Sequence, residues 1–209
     1  MFLLNLAPFE ILTWVIGFLL ALTCHEAAHA LCANFLGDPT AKFAGRISAN
    51  PLAHLDLMGT LFLLFVGVGW GKPVPVNPLN FANPRAGEIL TALAGPLANF
   101  VVALLLAIPY NFFAASGTDV EQFLGTLIFI NILILVFNLL PIPPLDGGGV
   151  VANILPLRYK IVYEQYGPIF LFGVIAFGFV FDFNILWGII LPVANAIWFM
   201  LNLATGFYL

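Results

Sequence analysis

Five runs of apolar residues constrain this sequence more than any other feature, because each is about long enough to form a helix across a lipid bilayer. A helical span needs roughly 20 apolar residues, and such runs cover residues 11–36, 87–110, 121–141, 167–182 and 185–207. Helices satisfy every backbone polar group internally, as hydrocarbon surroundings require. The pattern predicts an all-α polytopic membrane protein of about five to six transmembrane helices, whose first span is retained rather than removed as a signal peptide.

The composition agrees with this prediction and excludes other classes of protein. Apolar residues make up 62% of the 209 residues and charged residues 8%, against roughly half and roughly a quarter in a soluble domain. Six Lys/Arg and ten Asp/Glu are too few to cover a soluble globule of this size. A nucleic-acid-binding protein needs a basic face and a disordered chain has few apolar residues, so both classes are excluded.

A sixth apolar run, residues 57–70, is short and interrupted by glycine. Its length suits a re-entrant or interfacial segment as well as a full span. Lys and Arg are enriched on the cytoplasmic side of a membrane, so their distribution separates these alternatives. If the run dips in and returns, all six basic residues fall on one face. If it crosses fully, Lys42 and Arg46 fall on one face, and the other four fall on the opposite face: Lys72, Arg85, Arg158 and Lys160. The re-entrant arrangement fits better, and it places the N-terminus outside and the C-terminus in the cytoplasm.

The first span carries three ionisable residues within five positions, His25, Glu26 and His29. Residues i and i+4 of a helix share one face, so the two imidazoles can bind one Zn²⁺ while Glu26 accepts a proton from water. An ionisable side chain in an apolar helix is costly and is usually functional. A chance match therefore explains the pattern poorly.

Catalytic zinc usually has three protein ligands, and two residues are candidates for the third. One is His54, and the other is Asp146, which follows the run 121–141 among prolines and glycines. An ordinary helix-end aspartate facing water is the alternative for Asp146. The topology with all basic residues on one face brings His25, His29 and Asp146 toward the same, cytoplasmic side, which favours Asp146.

Five segments together resemble the site-2 protease family of intramembrane zinc metalloproteases, in a compact form without a PDZ or CBS domain. They are HEAAH at 25–29, NPLAHLD at 50–56, GWGKPVPVNP at 69–78, LAGPLAN at 93–99 and NLLPIPPLDGG at 138–148. The resemblance implies one Zn²⁺ per chain, bound by His25, His29 and Asp146, with Glu26 as the catalytic base. It also implies that Asn138 holds the substrate or its oxyanion.

Two further polar residues have several interpretations. His54 could contact the substrate, support the ligands, or be an interfacial histidine satisfied by the backbone. Asn99 is expected to make a hydrogen bond between helices, with Gly95 allowing close approach.

The connectors between the first and second full spans are expected to contain short membrane-associated β-strands. Alternation over Thr40–Ile47 is typical of a strand, and residues 73–76 (PVPV) can form an edge strand, because proline lacks a donor for a sheet interior. We hypothesise that this edge pairs with an extended substrate. The alternative is that both segments are simply structured connectors.

These features predict a single transmembrane protease domain, residues 1–209, with a catalytic core at about 11–148 and a C-terminal helical hairpin at about 167–207. It would cleave transmembrane or membrane-proximal segments of other proteins in the plasma membrane, with its active site toward the cytoplasm. Its partners are a membrane-protein substrate and the lipid bilayer, with no nucleic acid. One alternative is a metal-ion or proton transporter that uses the same cluster, although a transporter should continue its polar path across the bilayer. Another is an inactive relative that only binds membrane segments, against which the intact Glu26 argues.

Overall fold

Helices make up the regular secondary structure of the chain over the residues described by this computed structural model, which are 7–66, 69–114, 116–181 and 185–205. They are α1 (Pro8–Phe35), α2 (Thr40–Phe43), α3 (Leu57–Val66), α4 (Pro84–Phe113), α5 (Asp119–Asn138), α6 (Asp146–Ile154), α7 (Leu157–Phe181) and α8 (Ile185–Ala204). Short 3₁₀ turns at Pro51–Ala53 and Pro78–Asn80 lie in the connectors. Five helices, α1, α4, α5, α7 and α8, are long and apolar enough to cross a membrane, as predicted.

Capping residues mark where two of these helices begin. The side chain of Asn83 accepts a hydrogen bond from the backbone N–H of Ala86 at 3.2 Å. Pro84 occupies the first position of α4, where proline costs no hydrogen bond because an N–H there would have no partner within the helix. Thr118 caps α5 through the N–H of Glu121. Both helices therefore start at polar side chains in the connectors.

The central bundle consists of α1, α4 and α5, with α4 antiparallel to the other two. Gln122 Nε2 lies 3.5 Å from Glu10 Oε1 near the start of α5 and of α1. Further along, the Asn99 amide of α4 donates to the carbonyl oxygen of Ala21 at 3.0 Å. We name the end where α1 and α5 begin the Glu10 end. The opposite end, where α6 begins, is the Asp146 end.

Small residues allow the helices of the bundle to pack closely. A Cβ added at Gly17 of α1 would lie 2.6 Å from Ile130 Cδ1 of α5, and Ala21 is completely buried. The apolar core continues between α4, α5 and α8, where Ile132 and Ala194 are also completely buried.

The last helix, α8, finishes at the Glu10 end. Trp198 stacks edge-on against Tyr110 with ring centroids 5.5 Å apart, and Asn111, in the last turn of α4, donates to Thr205 Oγ1. Because α4 runs toward the Glu10 end, Thr205 lies at the same end of the bundle as the start of α1. The described end of α8 and the start of α1 therefore lie at one end of the bundle, whereas the apolar runs led us to expect them at opposite ends. The expectation assumed that every apolar run crosses the whole membrane. The direction of α8 depends instead on its contacts with α4.

The helix α7 begins at the Asp146 end, ten residues before the apolar run predicted from Gly167. Lys160 Nζ donates to Asn153 Oδ1 of α6 at 2.8 Å, and a Cβ added at Gly167 would lie 2.6 Å from the ring of Pro143. The polar first turns of α7 therefore belong to the same helix as its apolar part.

The strand predicted over Thr40–Ile47 is wrong, because residues 40–43 form the helical turn α2. Asp38 Oδ1 accepts a hydrogen bond from the backbone N–H of Thr40 at 3.1 Å, and Arg46 N donates to Ala41 O at 2.9 Å. These local bonds stabilise a turn where the alternation alone favoured a strand. Residues 73–76 also lie outside any strand, since two prolines leave few donors for a ladder.

The segment expected to be re-entrant contains α3, which ends at Val66, while residues 67–68 lie outside the described residues. The two ends of this segment meet, since Leu55 and Gly71 form an isolated antiparallel bridge. The N–H of Lys72 donates to His54 O at 2.8 Å. The chain thus returns beside the point at which it entered α3.

Candidate metal centre

The two histidines of HEAAH lie on one face of α1, as their spacing predicts. Both are buried, and their Nε2 atoms are 3.0 Å apart. The rings meet edge to face, with centroids separated by 4.6 Å. His25 and His29 can therefore act on one bound group.

Hydrogen bonds on the far side of each ring determine the tautomer. His29 Nδ1 lies 2.6 Å from the backbone oxygen of Thr91, and a carbonyl oxygen can only accept. His25 Nδ1 lies 2.7 Å from Asn99 Oδ1, while Asn99 Nδ2 donates to Ala21 O and Asn131 Oδ1, each at 3.0 Å. Each Nδ1 therefore carries a proton, and in a neutral ring each Nε2 presents a lone pair.

Asp146 completes the cluster from the first turn of α6. Its Oδ2 lies 3.1 Å from His25 Nε2 and its Oδ1 lies 3.4 Å from His29 Nε2. Oδ2 is buried and has no hydrogen-bond partner among the described residues. The first turn of α6 is held against the preceding loop, because a Cβ added at Gly147 would lie 2.3 Å from Leu139 O.

The donor set fits a zinc ion. Three atoms that can each offer a lone pair converge, and a cation placed between them would bind all three. A tetrahedral ion with Zn–N bonds of about 2.0–2.1 Å separates its ligand atoms by about 3.3 Å, close to the observed 3.0–3.4 Å. Within the described part of the chain, His25, His29 and Asp146 are the group of three His, Cys, Asp or Glu residues that could hold a metal ion.

Glu26 lies beside this cluster and is about nine-tenths buried. Its Oε2 is 3.5 Å from an Nη2 atom of Arg46. Burial lowers the pKa of the Arg46 guanidinium, and the Glu26 carboxylate opposes that shift. The connector covers the other oxygen, because a Cβ added at Gly71 would lie 3.0 Å from Glu26 Oε1.

Gly95 of α4 packs directly on the imidazoles. A Cβ added there would lie 2.3 Å from His29 Nε2 and 2.7 Å from His25 Cε1. Since real Cβ atoms do not approach this closely, only glycine lets α4 sit against both rings.

Comparisons with known proteins agree with this geometry. The model of peptidase family M50 matches residues 110–181. Over 175 residues the chain is 39% identical to the candidate zinc metalloprotease YwhC of Bacillus subtilis, and the match covers 78% of each chain. The chain belongs to peptidase family M50. This membership confirms the predicted family and the metalloprotease class.

More distant relatives of this M50 peptidase bear similar names. The candidate zinc metalloprotease Rip2 of Mycolicibacterium smegmatis is 33% identical over 141 residues, which are 65% of this chain and 54% of that protein. The zinc metalloprotease MJ0392 of Methanocaldococcus jannaschii is 36% identical over 76 residues, which are 36% of this chain and 22% of that protein. No solved structure matches the chain. The names of these relatives agree with the predicted Zn²⁺ cofactor.

Two other residues singled out in the M50 sequence lie outside the cluster. His54 is completely buried, and its Nε2 lies 2.8 Å from Ser48 O. Asn138, at the end of α5, donates to Ile134 O of its own helix at 3.0 Å. The structure therefore does not bring His54 among the ligand atoms.

Sequence reasoning did not predict three contributions to the centre. The expected hydrogen bond of Asn99 between helices is present, but its partner is the ring of His25. The sequence signal for this contact was an amide residue in an apolar span that could pack against the span with the two histidines. The carbonyl of Thr91 leaves no mark in a sequence, since almost any residue supplies the same group. In the sequence Arg46 is only one of six basic residues, and nothing there indicates its contact with Glu26.

Proposed function

We propose that this M50 peptidase is an intramembrane zinc endopeptidase that hydrolyses peptide bonds in or beside transmembrane segments of other membrane proteins. The observation that carries the proposal is the convergence of His25, His29 and Asp146 next to Glu26 within a helical bundle. These three residues would hold one Zn²⁺. Zinc supplies a Lewis acid that polarises a carbonyl and lowers the pKa of water to about 7.

Glu26 is the proposed general base. Its carboxylate follows a ligand directly in α1 yet lies outside the ligand set, so it remains free to accept the proton of the attacking water. It then returns this proton to the leaving amine, which completes hydrolysis without another acid.

Asn138 is the proposed donor to the substrate oxygen as negative charge develops. One N–H of its amide is engaged by Ile134 O, and an amide nitrogen carries two. Among the described residues the second N–H has no partner, and we assign it to a substrate at the Asp146 end. A donor aimed at a developing oxyanion commonly contributes about 2.7–4 kcal/mol to catalysis.

Residues 72–77, which lie outside any helix or strand, are the proposed docking edge for the substrate, which must leave its helical form before cleavage. In the described part of the chain, the N–H groups of Val74 and Val76 have no hydrogen-bond partner. An extended peptide can pair with such an edge through its main chain, with little dependence on sequence. His54 is assigned a structural role, since it holds this connector through the bond from Lys72 N to His54 O.

The proposed topology places the active site on the cytoplasmic side, with 57–70 as a re-entrant segment. The bridge between Leu55 and Gly71 supports this arrangement, because the segment leaves and returns at one level. The basic residues then share the Asp146 end, as the positive-inside rule favours. We place the start of α1 outside, and the described end of α8 at Thr205 outside with it. We retain one protease domain, with a core at about 11–148 and a C-terminal helical segment at about 167–207.

A transporter needs polar groups that continue across the bilayer. The hydrogen-bonded path from His25 runs through Asn99 to Asn131. Beyond that level, toward the Glu10 end, the described core contains Ala103, Ala107 and Ile128. Transport therefore receives no support from the described residues.

The test compares wild type with Glu26→Gln in liposomes that contain a transmembrane peptide and Zn²⁺. We expect cleavage by wild type only, while both proteins bind one zinc ion per chain, because glutamine preserves the shape of the side chain but cannot accept the proton. Cleavage by Glu26→Gln at the wild-type rate would remove Glu26 as the base. Zinc flux without cleavage would replace the protease by a transporter.

A further inference from the structure

Arg46 follows α2 and is almost completely buried, with 4% of its surface exposed. A buried guanidinium is costly unless its charge is paired and its N–H groups are bonded. Its Nη1 donates to Pro73 O at 2.8 Å, and its Nη2 donates to Lys72 O. The same Nη2 lies 3.5 Å from Glu26 Oε2. One side chain therefore touches both the base and the backbone that leads into the docking edge.

The backbone at this point has little freedom to move away from Glu26. Lys72 N donates to His54 O at 2.8 Å, and Gly71 passes so close that a Cβ there would lie 3.0 Å from Glu26 Oε1. Asp38 Oδ2 accepts the N–H of Asn77 at 2.7 Å at the far end of the segment. The docking edge is thus fastened at both ends, and Arg46 is its link to the base.

We propose that Arg46 is a positioning residue that sets the register of the bound substrate against Glu26 by fastening the Lys72–Pro73 backbone to that carboxylate. This inference rests on the proposed function, in which Glu26 is the base and residues 72–77 dock the substrate. The planar guanidinium has several N–H donors in a rigid fork, so it can bond two carbonyls and face a carboxylate together. A lysine ammonium is a single point charge and cannot reproduce that fork.

The kinetic test uses Arg46→Gln and Arg46→Lys, with Lys42→Gln as the matched control at an exposed position of the same connector. Misplacement by about 1 Å can reduce a catalytic rate about 100-fold. We expect both Arg46 variants to lose about 10- to 100-fold in kcat with one zinc ion still bound per chain, and Lys42→Gln to retain wild-type kcat. Restoration of kcat by Arg46→Lys would overturn the proposal, because charge alone would then be sufficient.

A docking measurement separates positioning from loss of folding and from failure of the proposed function. A photoreactive residue at position 76 is introduced into Glu26→Gln, which holds the transmembrane peptide uncleaved and keeps an oxygen that can accept from Arg46. We expect Arg46→Gln to lower crosslinking several-fold or to shift it to other residues of the peptide, with the melting temperature and zinc content preserved. Unchanged crosslinking at the same peptide residues would overturn the proposal. Cleavage by Glu26→Gln itself would instead reject the base assignment on which it rests.

Discussion

Asn99 Oδ1 lies 2.7 Å from His25 Nδ1, and the amide of the same residue donates to Asn131 and to the backbone of Ala21. The amide is therefore held in one orientation by α1 and α5, and it presents only its oxygen to the imidazole. One residue of α4 thus selects the tautomer in which His25 Nε2 has a free lone pair.

Replacement of Asn99 by alanine should weaken zinc binding. The histidine ring loses the acceptor that orients it, and changes of this kind typically cost 10- to 100-fold in metal affinity. Competition with a chromogenic chelator measures the zinc Kd. Asn202→Ala is the control, since among the described residues that amide bonds its own helix, at Trp198 O, 2.9 Å away. An unchanged zinc Kd for Asn99→Ala would show that the ring is held by other contacts.

Gly95→Ala should remove zinc although it adds one methyl group. The new Cβ would lie 2.3 Å from Nε2 of His29, a proposed ligand atom, so α4 or the ring must shift, and overpacking of this kind costs about 1–3 kcal/mol. Metal content after purification measures the effect. Gly188→Ala in α8 is the matched control, because a Cβ there meets nothing within 4 Å. Full zinc occupancy of Gly95→Ala would contradict close packing of α4 on the imidazoles.

Val76→Pro should slow cleavage of an extended substrate without loss of the fold. Proline removes the N–H that would pair with the substrate, and one hydrogen bond contributes about 0.5–1.5 kcal/mol, or about two- to ten-fold in kcat/KM. Val76→Ala keeps the N–H and serves as the control. Equal kcat/KM for the proline and alanine variants would count against pairing of substrate at this edge.

Asp38 should make stability depend on pH. It is completely buried, and although burial opposes ionisation, hydrogen bonds from Thr40, Asn80 and the N–H of Asn77 outweigh it and lower the pKa below the ordinary 3.8. A carboxyl whose pKa is depressed by folding contributes stability above its unfolded pKa, and that stability is lost as the pH falls through the lower, folded value.

Asp38→Asn should therefore lower the melting temperature in detergent at pH 7 and reduce the loss of stability on acidification below about pH 4. The exposed Asp119→Asn is the comparison. Parallel melting curves for wild type and Asp38→Asn across this pH range would rule out the linkage.

The proposed ligand residues could be singled out in the sequence because each stands out from its surroundings. His25 and His29 interrupt an apolar run at the spacing of one helical turn, and Asp146 follows a span among residues that break helices. The structure brings these three side chains together. Their supports could not be predicted in the same way, because the carbonyl of Thr91 belongs to the backbone and the burial of Arg46 depends on how the connectors fold.

The connectors and the last helix were less predictable for a related reason. The alternation over Thr40–Ile47 is compatible with a strand, but Asp38 and Thr40 make local bonds that favour a turn. The direction of α8 is determined by contacts such as Tyr110 with Trp198, which lie far apart in the chain. Apolar length predicts that a helix can cross a membrane and gives no information on which neighbour it meets.

The close packing of Gly95 on both imidazoles limits how molecules can reach the candidate metal centre. Because α4 packs against the ring pair, an ion, a water molecule or a scissile peptide cannot approach the imidazoles from the side of Gly95. Under the proposed function, metal exchange and hydrolysis use the same entrance, so a peptide bound there for cleavage also shields the ion from chelators.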